Sequence, residues 1–168
     1  MMLAIPAVLT HAVAPWARFY SHSRVAATIV TYLHIASIVV GGGLGISLDR
    51  STLRIGRDDQ AARQRHLAEL GAVHAWVIGA LALSFVSGVA LLAADLDTFL
   101  DSWVFWLKIG LIVLLLANGA RMTLAERALR APGAPAGDAW GRLRTVAVAS
   151  LTLWLAITLA GVVLTNAA

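Results

Sequence analysis

The chain has 168 residues, 60% of them hydrophobic and 13% charged, against about 25% charged in an average soluble domain. That length and balance exclude a separate soluble catalytic domain, because almost all of the chain is taken up by apolar runs. The absence of cysteine excludes disulfides, thiolate metal sites, iron–sulfur clusters and covalent c-type haem attachment, and the net charge of +4 is no sign of a nucleic-acid binder, since the arginines gather in loops between apolar runs.

Residues 1–24 form the first unit. The stretch starts apolar and carries Ala12–Ala14 in the Ala-x-Ala pattern of a signal peptide. It has no basic n-region, Pro6 interrupts its apolar part, and Pro15 follows the would-be cleavage point. The expectation is a retained interfacial segment on the outer membrane surface, with Trp16, Phe19 and Tyr20 at headgroup depth.

Residues 25–168 form the second unit, a four-transmembrane-helix domain. The first apolar run is Val25–Leu48, and the next three are Ala72–Ala94, Trp103–Ala120 and Thr145–Leu164. Each approaches or exceeds the ~20 residues that cross a bilayer core as a helix. The predicted fold class is therefore all-α, an integral membrane four-helix bundle with an N-terminal interfacial segment. Small residues mark the expected helix contacts: Gly41 and Gly45 on the first run, Ala80, Ser84 and Gly88 on the second, Ala156, Ala160 and Gly161 on the fourth.

The loops give the orientation. The segment Asp49–Gly71 carries Arg50, Arg54, Arg57, Arg63 and Arg65, and the loop after the third run carries Arg121, Arg127, Arg130, Arg142 and Arg144. The loop between the second and third runs has Asp95, Asp97 and Asp101 and no basic residue. The positive-inside rule puts both arginine loops in the cytoplasm, with both termini in the periplasm and the protein in a bacterial inner membrane. The segment Thr52–Leu70 is predicted to be helical with a solvated or headgroup-facing surface, and Ala131–Gly141 to be a flexible turn. Asp101 is placed to cap the third helix, and the acidic loop lacks the glycine and ligand count of a calcium loop.

Within the membrane, Thr31, His34, Ser37, Gly41 and Gly45 make a small and polar stripe that should face protein. Lys108 is the one fully charged side chain inside any of the four runs. Counted from the outer ends, His34 is ~15 Å below Arg24 and Lys108 ~10 Å below Asp101, so both lie in the outer half of the bilayer. Facing one cavity, they could hold a propionate, another anion or a proton path. Alternatively His34 is a hydrogen-bonding helix contact, and Lys108, five residues from Trp103, snorkels outward. His74 lies roughly 16 Å deeper than His34, so the two cannot sandwich one haem. His11, His22 and His66 read as surface residues.

The stretches YLHIASIVVGGGLGISLDR (Tyr32–Arg50) and FWLKIGLIVLLLANGARM (Phe105–Met122) resemble helices of the copper-resistance protein D family and of the membrane-bound, oxygen-independent protoporphyrinogen oxidases. The resemblance covers about forty residues. It implies a b-type haem and functional roles for His34 and Lys108, hence a haem-associated membrane oxidoreductase. Small size, little extramembrane mass and few embedded ionisable groups imply instead a non-catalytic accessory subunit of a larger respiratory or photosynthetic complex, with the lipid bilayer and other membrane subunits as partners.

Overall fold

The computed structural model describes residues 7–56, 59–130 and 136–167, and six helices account for nearly all of them. They are α1 (Ala7–His22), α2 (Arg24–Arg54), α3 (Gln60–Ala94), α4 (Leu96–Asp101), α5 (Trp103–Arg130) and α6 (Ala136–Ala167). Among the described residues α2, α3, α5 and α6 are the four helices long and apolar enough to cross a membrane. The chain is an all-α bundle and a multi-pass membrane protein. A helix satisfies its backbone internally, so its apolar side chains can face lipid at no hydrogen-bonding cost. Val39, Phe85, Leu114, Leu155 and Leu159 are exposed in that way.

The helices start where side chains can cap them. Ser23 accepts from the Ala26 N–H and opens α2, and Asp59 accepts from the Ala62 N–H and opens α3. At 31 and 35 residues, α2 and α3 are roughly 46 and 52 Å long, well beyond a hydrocarbon core of about 30 Å. Most of the arginine-rich segment Asp49–Gly71 is therefore helix, as expected for Thr52–Leu70, with α2 ending at Arg54 and α3 beginning at Gln60. Arg, Gln, Ala and Leu are good helix formers, so nothing there stops either helix earlier.

Two expectations need correction. The turn assigned to Ala131–Gly141 is helical from Ala136 onward, where α6 begins; its first five residues lie outside the described residues. Asp101 caps nothing: it ends the short α4, whose N-cap is Asp95, accepting from the Thr98 N–H at 3.3 Å. The first helix α1 runs through Pro15 and lies along α3 and α2. Its Trp16 Nε1 donates to the Ala90 carbonyl at 2.8 Å, and the Tyr20 and Thr31 hydroxyls are 3.3 Å apart. Met1–Pro6, the start of the expected interfacial segment, lie outside the described residues.

The packing order across the bundle is α3, α2, α6, α5. A closed four-helix bundle would also pack α3 on α5. That interface is all but missing, which leaves a cleft floored by α2 and α6. Within its apolar window α6 is 33% buried and α3 only 6%, so α6 is the central helix and α3 the peripheral one. Two apolar clusters hold the bundle. One, at the arginine-rich end, centres on Leu70, Trp140 and Leu143. The other, in the membrane, centres on Leu115, Trp154 and Ile157.

Three of the four glycines of α2 are seats for a neighbouring helix. A Cβ on Gly41 would lie 3.0 Å from the Ala80 Cβ, so α2 and α3 touch almost backbone to backbone. A Cβ on Gly42 or Gly45 would meet the Trp154 indole at 3.2 or 3.0 Å. The expected small-residue interfaces of the first two runs are thus in use, and they are internal.

Candidate functional site

Polar side chains meet at two levels of the bundle. The level farther from the arginine-rich end holds the two residues singled out from sequence. His34 leaves α2 toward α3, where its Nδ1 is 3.1 Å from the Ser84 carbonyl oxygen and 3.1 Å from Ser87 Oγ. A carbonyl can only accept, so Nδ1 carries the proton and the Nε2 lone pair is left for another partner. Gly88 makes room for the ring: a Cβ there would be 3.2 Å from His34 Cε1. One turn on, the buried Ser37 hydroxyl donates to the His34 carbonyl at 2.8 Å.

Lys108 is half-buried. Its Nζ lies against Gly161 of α6, 3.6 Å from where a Cβ would sit. His34 thus meets α3, and Lys108 meets α6. Among the described residues Lys108 forms no ion pair.

The other level escaped sequence reading. The cleft between α3 and α5 opens into a cavity of about 260 Å³. Its walls are apolar, with Val77 and Leu81 from α3 and Leu115 and Leu116 from α5. Asp49, Asn118 and Ser150 line it, together with His74 and Glu126. Asp49 is 1% exposed and its Oδ2 has no hydrogen-bond partner among the described residues. The Ser150 hydroxyl faces the same carboxylate. Asn118 Nδ2 donates to the Val146 carbonyl at 3.0 Å and ties α5 to α6.

Beyond the cavity, toward the arginine-rich end, lies a buried polar cluster. Thr52 Oγ1 donates to the Leu48 carbonyl, so it accepts from His66 Nε2 at 2.7 Å. Arg63 stacks over the Trp140 ring at 5.0 Å, and His66 meets the same ring edge-on at 6.3 Å. His66 and Arg63, expected on a solvated surface, are instead 2% and 9% exposed. The signal was present: Arg63, His66 and Leu70 recur at helical spacing on one face of α3. No cluster of three or more His, Cys, Asp or Glu suited to a metal ion occurs among the described residues. Comparison with protein-family models, with characterised proteins and with solved structures finds no match.

Proposed function

We propose that the chain is a non-catalytic accessory subunit of a larger bacterial inner-membrane complex, respiratory or photosynthetic, with its arginine-rich ends in the cytoplasm and both termini in the periplasm. The observation that carries this reading is a second small-residue face on α3. Ala80, Ser84 and Gly88 are used on α2. On the opposite side Ala75, Gly79 and Ala82 form an exposed stripe at helical spacing, continued by Val86, and among the described residues nothing lies within 4 Å of a Cβ on Gly79. In lipid, helices associate by close approach of such residues, so this face suits a helix of another subunit. A crosslinking amino acid at Val86 compared with one at Leu159 tests it, since both are 64% exposed. Val86 is expected to capture one other polypeptide in native membranes and Leu159 only lipid. Lipid adducts alone at Val86 would overturn the reading.

One observation favours a second reading, a b-type haem-associated oxidoreductase. The carbonyl on His34 Nδ1 is the partner a metal-ligating histidine characteristically has on its other nitrogen, which frees Nε2 for a metal. His34 could then hold a haem iron through Nε2, and Lys108 could pair with a propionate. His74 does not complete the set: it lines the cavity with Asp49, which is fifteen residues and roughly 22 Å along α2 from His34. A haem would supply the electron transfer, while the chain would supply a fixed imidazole and a cation. The visible spectrum of purified protein decides it. A Soret band lost in His34→Ala supports this reading, and a colourless wild-type protein removes it.

A further inference from the structure

We propose that the cavity between α3 and α5 is a binding site for a small organic ammonium ion with an apolar body, taken up sideways from the bilayer and held by Asp49. Four observations point there. The cavity holds about 260 Å³, enough for a single-ring molecule and small for an ordinary ligand pocket. Its side walls are Val77, Leu81, Leu115 and Leu116, which suit an apolar body and would be poorly served by water alone.

The polar end asks for a donor. Asp49 is 1% exposed, its Oδ2 lacks a partner, and among the described residues no Lys or Arg pairs with it. A buried carboxylate oxygen left bare is costly, and an N–H of a cation is the partner that repays it best. The second carboxylate of the cavity, Glu126, sits at its rim with His74, whereas Asp49 lies buried at its floor. Trp154 supplies an aromatic wall, which suits a cation as well as an apolar ring.

The architecture supplies the way in. Because α3 and α5 hardly pack, the cavity is not sealed between them. At the arginine-rich end it is closed, where Arg130 donates to the Leu67 carbonyl at 2.6 Å and Met122 and Leu129 pack on the Leu70–Trp140–Leu143 cluster. Access is then lateral, from the hydrocarbon, and this selects molecules that partition into lipid and carry one donor-rich head.

The test uses the full chain in lipid nanodiscs, titrated calorimetrically with benzylammonium, with empty nanodiscs subtracted and benzyl alcohol as the uncharged control. Wild-type protein should bind benzylammonium saturably, and benzyl alcohol at least tenfold more weakly. Asp49→Asn keeps the shape and removes the charge, and should weaken benzylammonium binding at least tenfold. Gly119→Leu should abolish it by filling the cavity that Gly119 lines; among the described residues no atom lies within 4 Å of a Cβ there, so the larger side chain displaces no packed neighbour and Asp49 is left intact. Circular dichroism shows which variants are folded, and if Asp49→Asn is not, Gly119→Leu decides. No saturable binding to the wild type, equal affinity for benzyl alcohol, or unchanged binding in folded variants would each overturn the proposal.

Discussion

At the scale of single residues, buried polar groups decide where the helices meet. Asn118 gives one hydrogen bond from α5 to α6, to a carbonyl inside the membrane. Such bonds are worth about 0.6 kcal/mol on average and rarely more than about 1.7, so Asn118→Leu should cost little stability in a detergent-titration unfolding curve. Trp140 is a different case. It is 1% exposed, lies under Arg63 and beside His66, and anchors the start of α6. Trp140→Ala should cost about 3–5 kcal/mol in the same measurement, because it opens a large cavity and unseats two polar neighbours. A cost under about 1 kcal/mol would contradict the packing described. What was legible in the sequence divides along physical lines. His34 and Lys108 stood out because a charge or an imidazole in an apolar run is costly. Asp49 did not: it ends such a run, where an acidic residue reads as the edge of a loop. Asn118 and Ser150 are neutral and small against their surroundings. Only the convergence of α2, α5 and α6, which a linear pattern does not contain, makes the three into one site.

At the scale of elements, the glycines of α2 separate two kinds of small residue. Gly41 and Gly45 make close contacts, whereas among the described residues nothing lies within 4 Å of a Cβ on Gly43. Gly41→Ala would press on the Ala80 Cβ, which is fixed to the α3 backbone and cannot swing aside. It should destabilise by about 1–3 kcal/mol, the usual cost of overpacking. Gly43→Ala should be neutral or stabilising by up to about 1 kcal/mol, the difference in helix propensity. Paired unfolding measurements check this, and equal effects at the two positions would show that the stripe is not a seat. Spacing alone marked the stripe as a contact face. It did not show that the partners would be an alanine of α3 and the indole of Trp154, because that depends on which helices are neighbours. Helix lengths were underestimated for a simple reason: hydropathy ends at the membrane, while α2 and α3 continue past it on arginine, glutamine and alanine.

At the scale of the whole molecule, four apolar helices and two arginine-rich ends were readable at once, since each is a property of composition along the chain. The missing α3–α5 interface was not, because the order of helices around a bundle leaves no period in the sequence. The proposed orientation has a direct check in a chain without native cysteine. Cysteines introduced at Asp97 and Arg127 should react with a membrane-impermeant thiol reagent from opposite sides, the first from the periplasm and the second only after the membrane is opened. Reaction of both in intact cells would refute the orientation. The open face of α3 bears on the central claim, that this chain is one subunit of something larger. The most direct measurement is the native mass of the tagged chain, expressed at its natural level and extracted from its own membrane in a mild detergent. The expected result is a particle several times heavier than 17.7 kDa, with the same partner polypeptides in fixed ratio. A colourless particle containing only this chain would contradict it.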